Sequence, residues 1–338
     1  GAVPTLIDYK ELTNRSFDAS HNLQNQMILT YVDSTKATLL DVQESRSIGF
    51  NPQGVALRQI LVTYSDIAKA QLIGVKEILN SNIQANGNVG VRVITNYSSV
   101  TFVGSGSAGD VATLVGALDK QTIVTDLFDN RGNALHQTVL SEGWTGTAWT
   151  FSSMQDIQND SIDLYDRTGH SIVKSYSAPA AIPANFTGFD DITYTQYDKF
   201  NNVETQNIRS YTNDPTPVLR EYREVVNVYG TDLQRKRGNA TTSTVSRWTN
   251  TTKLASEWID KTIMTTTSFD IQGRALIQGQ DIFVYKGTAL QLAFHNDIVN
   301  DLYDTRGDAG KQTITSYQMN GAVPTLIDYK ELTNRSFD

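Results

Sequence analysis

Polar and apolar residues alternate loosely along VETQNIRSY (203–211), GKQTITSY (310–317), VALRQILVTY (55–64) and NLQNQMILTY (22–31). Each stretch is dense in β-branched and aromatic side chains, which predicts strands with one buried and one wetted face. YSDIAKAQLIGVKEIL (64–79) has the residues of a short helix, but it stands where a strand stands in the other copies and is read as strand. GSGSAG (104–109) and SAPAAIPANFTGF (177–189) read as exposed loops.

The strands are punctuated by a recurring corner. An aromatic residue or Ile is followed by Asp or a polar residue, and three positions later by Gly or a substitute. The copies are FDASH (17–21), FNPQG (50–54), IQANG (83–87), FDNRG (128–132), YDRTG (165–169), YDKFN (197–201), YGTDL (229–233), FDIQG (269–273) and YDTRG (303–307). An Asp at the first corner of a type I turn accepts bonds from the turn amides. A Gly three residues later supplies the left-handed conformation of a bulge. The predicted structural turn residues are therefore Asp18, Asp129, Gly132, Asp166, Gly169, Asp198, Asn201, Asp270, Gly273, Asp304 and Gly307. Asn201 and His21 replace Gly with types that tolerate positive φ. Leu233 breaks the rule, so an irregular turn is expected at 229–233. Tyr31, Tyr64, Tyr97, Tyr211 and Tyr317 all stand at one fixed offset from the aromatic or Ile of their corner, the offset from Phe17 to Tyr31. A second, looser reversal follows at VDSTK (32–36), NDPTP (213–217) and MNGAVP (319–324). Each unit of about 33 residues is then one antiparallel hairpin, and nine units predict roughly 18 strands.

The opening segment, GAVPTLIDYKELTNRSFD (1–18), recurs letter for letter at 321–338. Residues 1–320 are read as one block of nine hairpins and 321–338 as the start of the next. The expected context is a very long polypeptide in which the block recurs; a designed or edited chain with duplicated ends is the rival. The expected fold is all-β, with repeated antiparallel hairpins wound into a continuous spiral sheet, tube or filament. With strands about 4.8 Å apart, roughly 18 of them closed into one turn would make a tube about 27 Å across.

The corner resembles the YD repeat of the RHS family. FDIQGRAL (269–276) is nearest to its signature, followed by FDNRGNAL (128–135), YDRTGHSI (165–172) and YDTRGDAG (303–310). The resemblance covers the whole chain as a short turn motif. It implies spiralling hairpin sheets, built as shells or stalks on secreted and cell-surface proteins. No equivalent of the family's proteolytic core segment or toxin tail is visible.

Composition changes the picture little. Apolar residues are 39% of the chain and its net charge is −8, or −7 for one block without the repeated segment. That implies a thin core, and the scattered charge gives no footprint for nucleic acid or anionic lipid. There is no Cys, so disulfides and thiolate metal sites are excluded. No apolar run is long enough to cross a bilayer as a helix, so no helical membrane span is expected.

Candidate chemistry is sparse. Of the four histidines, His21 and His170 lie at or beside tight turns, and His136 and His295 complete the set. No His-x-x-x-His, Gly-x-Ser-x-Gly or phosphate-loop signature accompanies them, and GSGSAGD (104–110) lacks the Lys. The pairs Asp126/Asp129 and Asp163/Asp166 already have turn roles, so no calcium, cofactor or catalytic residue is assigned. Trp144, Trp149, Trp248 and Trp258 read as packed within the sheet, or as sugar-stacking platforms. Seven Asn-x-Ser/Thr sequons, including Asn14 and Asn239, are near chance for this composition. The function expected is a structural filament or tube, extracellular or at the cell surface, whose partner is itself. A surface adhesin or carbohydrate-binding repeat is the alternative, and a shell around a cargo the second.

Overall fold

The alternating segments become strands in the computed structural model, which describes residues 6, 8–103, 111–212, 216–270, 273–303, 309–321 and 323–333. The first nine strands are β1 (Tyr9–Phe17), β2 (Leu23–Tyr31), β3 (Leu39–Phe50), β4 (Ala56–Tyr64), β5 (Leu72–Ile83), β6 (Val89–Val103), β7 (Val111–Phe128), β8 (Ala134–Trp144) and β9 (Trp149–Asp160). Ten more follow: β10 (His170–Tyr176), β11 (Phe186–Tyr197), β12 (Val203–Thr212), β13 (Val218–Tyr229), β14 (Ala240–Trp248), β15 (Trp258–Phe269), β16 (Ala275–Tyr285), β17 (Leu290–Tyr303), β18 (Ala309–Asn320) and β19 (Val323–Thr333). One helix, α1 (Asp232–Arg237), interrupts the second series.

The chain divides into two compact units, Gly1–Gln158 with Tyr176–Asn185, and Asn159–Ser175 with the chain from Phe186 onward. Within each, the ladders join strands adjacent in sequence, all antiparallel. This is a run of hairpins, and among the described residues no ladder closes either run on itself.

A single sheet leaves both faces to water, so a core needs a second layer. The first unit supplies one. Beyond Tyr97 the β6–β7 hairpin continues, with Ser99 opposite Val115 and Phe102 opposite Ala112. Its Val100, Phe102, Ala112 and Leu114 pack on Ile60, Val62 and Val75 of β4 and β5. Those three are at most 1% exposed. Residues 104–110 lie outside the described residues, but the stems of the expected loop are strands that cover the sheet. Among the described residues of the second unit the buried apolar set is small, with Ile208, Tyr222, Tyr229, Trp248 and Ala293.

At 64–79 the chain turns over Ser65–Gln71 and then forms β5 from Leu72. Of 177–189, Pro183–Asn185 is a 3-10 turn and β11 begins at Phe186.

Candidate functional site

The tight corners are Asp-centred cages. At Asp129 the backbone N–H donates to the Asn133 carbonyl at 2.9 Å, and Gly132 N–H donates to the Asp129 carbonyl at 3.1 Å. The Asp129 carboxylate accepts from Arg131 N–H and Asn133 N–H, both at 2.8 Å. The Asn133 side chain adds a bond at 3.0 Å. Gly132 has φ +90°, so its lack of a Cβ is used there. The same cage stands at Asp18, closed by His21 at φ +65°, and at Asp198, closed by Asn201 at φ +66°. It also stands at Asp270, closed by Gly273 at φ +86°. Asp304 and Gly307 lie outside the described residues.

A fifth position, four after the Asp, completes the cage. It is Asn22, Asn133, Asn202 or Arg274, each donating its side chain back to the carboxylate. The sequence reading misses it, although Asp-x-x-x-Asn/Arg is visible in the letters. These bonds hold Asp18 and Asp129 below the ordinary carboxylate range, with the i+4 Asn side chain as the main cause. For Asp198 burial opposes the shift, and the bonds from Asn202 outweigh it.

One corner is framed differently from the expectation. In YDRTG (165–169) the motif makes Asp166 the first corner and Gly169 the last. The cage is built three residues earlier: Asp163 accepts from Tyr165 N–H at 2.8 Å and Arg167 N–H at 3.1 Å, and Arg167 Nε returns at 2.7 Å. Asp166 takes the left-handed position, at φ +61°. Gly169 belongs to the exit, where a Cβ would lie 2.7 Å from the Ser161 carbonyl oxygen. Arg167 decides the frame, because the alternative leaves Asp166 with His170 four residues on, and His170 is committed to Asp160 and Asp191. Replacing Asp166 with Gly (D166G) is expected to relieve up to about 1 kcal/mol of left-handed backbone strain, less what the Asp166 side chain itself contributes, so D166G should leave the hairpin no less stable than D166A. D163A should speed amide exchange at Tyr165 and Arg167, and D163A protection equal to wild type would restore the frame that begins at Asp166.

At YGTDL (229–233) a helix replaces the turn. Thr231 caps α1, with Gln234 completing a capping box, and Gly238 at φ +70° ends it.

The tyrosine offset marks a second device. Each ladder at a loose turn slips register, at Tyr31, Tyr64, Tyr97, Tyr211 and Tyr317. The same slip falls at Glu142 and Phe283, which stand at the same offset from Phe128 and Phe269, and at Trp248. Counted from Ile162, the corrected corner gives Tyr176, the last residue of β10.

Beyond the slip runs a row of carboxylates. The residue facing the slip begins LLDVQE (39–44), LIGVKE (72–77), FSSMQD (151–156), LREYRE (219–224), LAFHND (292–297) and LIDYKE (326–331). FTGFDD (186–191), which opens β11, likewise carries an acid at its sixth residue, Asp191. Each sixth residue holds a cation or histidine: Glu77 binds Arg58, Glu224 binds Lys253 and Glu331 binds Lys311. Lys36, Lys69 and Lys253 all sit at positive φ in loose turns and reach Glu11, Glu44 and Glu224. Gly would relax those backbones but forfeit the pairs.

Glu44 is the buried member, 1% exposed. It accepts from Arg15 at 2.7 and 2.9 Å, from Arg46 at 2.8 Å, and from Lys69. Burial pushes its carboxyl up, but these three cations bring it down to about 2. Arg46 also lies 4.5 Å over the Phe102 ring.

Three histidines sit between aspartates on opposite ring edges: His136 with Asp126 and Asp156, His170 with Asp160 and Asp191, His295 with Asp281 and Asp297. Among the described residues no group of three or more such ligands is arranged for a metal ion. For His170 the Asp160 bond leads in raising the imidazole above its ordinary value. For His136 and His295 burial acts downward, and the aspartate bonds outweigh it. Arg209, 3.8 Å from Asp191, competes at His170. A raised folded value means stability present below about pH 6.5 and lost as pH rises through the folded value. The melting temperature is expected to fall from about pH 6 towards pH 8, and the fall should shrink in H136Q/H170Q/H295Q.

The tryptophans pair across strands. Trp144 and Trp149 lie 5.1 Å apart and half-buried, with Lys120 4.6 Å over Trp149. Trp248 is buried, 4.2 Å from Trp258.

Compared with known proteins, the chain matches no family model and no curated protein, so its reading rests on this lattice of corners, slips and carboxylates.

Proposed function

We propose that the chain is a structural module of an extracellular or cell-surface filament, in which each block, residues 1–320, adds hairpins to a line of β-strands. One observation carries this reading. The second copy of the opening segment is taken up as β19, slipping register at Tyr317 as the internal loose hairpins slip at theirs. The start of a new block is thus accommodated as one more hairpin arm, with no special geometry. The likeness of FDIQGRAL to YD-repeat turns supports the same reading, since those turns join hairpins in long sheets. In this role the carboxylate row and the Asp cages hold neighbouring strands in register, and no catalysis is required of them.

Electron micrographs of the native material, with the mass of the intact chain, test the proposal. The expected result is a line with a regular repeat, and a chain mass that is a multiple of the block. Compact monodisperse particles would overturn it.

A further inference from the structure

The duplicated segment is seen twice, each time with a different neighbour. In its first copy Tyr9 faces Tyr31, Glu11 faces Leu29, Leu12 faces Ile28 and Thr13 faces Met27, all on β2. In its second copy the same stretch, Tyr329 to Thr333, faces β18, with Tyr329 opposite Thr315 and Thr333 opposite Lys311. A strand has two edges, and β3 shows both filled. There Leu39 faces Tyr31 and Asp41 faces Thr30, while Val42 faces Tyr64 on the following strand. In β19 Leu326 faces Tyr317 and Asp328 faces Ser316, which repeats the first half of that pattern. In β1 Tyr9 faces Tyr31, which repeats the second half. Superposed, the two copies make one complete inner strand.

We propose that the outer edge of β19 docks the strand Leu23–Tyr31 of a second copy of this block, in the register that sets Tyr329 opposite Tyr31 and Thr333 opposite Met27. The proposal rests on the filament reading and names its joint. The side chains on β19 are prepared for it. Tyr329 is 59% exposed, whereas its twin Tyr9 lies against Tyr31 at 6.4 Å with Lys36 5.7 Å over its ring. Leu326 and Leu332 are exposed beside it. Glu331 already holds Lys311 at 3.0 Å, and Glu11 shows where the incoming Lys36 would bind. Unpaired strand edges are templates for further strands, and identical neighbours fill them in register.

The chain has no Cys, so disulfide capture reads the joint directly. The probe is a synthetic peptide spanning 19–50 and carrying I28C or M27C, offered to the 338-residue chain carrying L332C or T333C. Adjacent pairs alternate between hydrogen-bonded and non-hydrogen-bonded geometry, so one of the two suits a disulfide. The controls are the 338-residue chain carrying L12C or T13C, identical in local sequence but with that edge occupied by β2. Capture at 332 or 333 at least tenfold above 12 or 13 is expected. If these 338-residue chains have already joined one another, the I28C/L332C double variant is expected to yield disulfide-linked multimers instead. Equal capture at both copies, better capture by a Y31C peptide against T333C, or no capture of peptide or chain would overturn the joint. Micrographs without filaments alongside in-register capture would sink the filament and leave the edge; filaments without capture would do the reverse.

Discussion

Replacing Glu44 with Gln is expected to lower the local stability of the β1–β5 region by about 3–5 kcal/mol, the usual cost of breaking a buried ion pair from one side. Gln keeps the volume, so packing hardly changes. What is lost is the charge that Arg15, Arg46 and Lys69 share. The Arg46 side chain is 8% exposed and would remain buried without its counter-ion. The linked proton gives an independent size for the effect. A carboxyl moved from 4.5 to about 2 contributes about 3 kcal/mol at neutral pH. Because the folded value is depressed, that contribution is complete above the unfolded value and disappears as pH falls towards about 2. Native-state hydrogen exchange across β2–β4 should show the loss at neutral pH, and the acid limb of the wild-type stability curve should flatten in E44Q. E11Q is the control, since its pair with Lys36 is open to solvent and its loss should leave exchange across β2–β4 unchanged. If E44Q and E11Q behave alike, the buried cluster does not hold the first unit together.

That contrast also shows where sequence reading succeeds. The corners are legible because an Asp cage is local: the carboxylate, the positive-φ residue and the i+4 donor lie within one short stretch of chain. The misplaced corner at 165–169 fails for the same reason. YDRTG copies the motif's letters, but the cage is selected by Arg167 acting on Asp163, a residue just outside the quoted string. The tyrosine offset is legible as a spacing, yet its meaning as a register slip appears only when two strands are laid side by side. Glu44 is not legible, because a Glu in an alternating strand reads as part of a wetted face. Its burial depends on cations at positions 15, 46 and 69 and on the β6–β7 extension. Likewise GSGSAG hides the cover over Ile60 and Val62, since the strand stems flanking it read only as part of a loop insertion.

Trp248→Ala is expected to cost about 3–5 kcal/mol in the second unit, the range for emptying a large aromatic site. Trp248 is 4% exposed and faces Tyr222 on one strand and Trp258 on the other, at 5.9 and 4.2 Å between ring centres. Tyr222 is itself 4% exposed, so the indole and the phenol bury one another across β13 and β14. Lys253 lies over both rings, at 5.2 and 5.7 Å, and its bond to Glu224 ties the loose turn to them. Truncation therefore removes the aromatic pairs, the cation's seat and the buried area together. W248F separates packing from polarity. It keeps a ring in place and removes an indole N–H that has no acceptor among the described residues, so it should cost no more than about half as much. Exchange at Tyr222, Arg247 and Lys261, on the three strands across the site, reports the change locally. A repeat array unfolds piecewise, so a single global melt would dilute it. Should W248A leave those amides as protected as wild type, the indole is not a packing centre, and its burial between Tyr222 and Trp258 does not support the sheet.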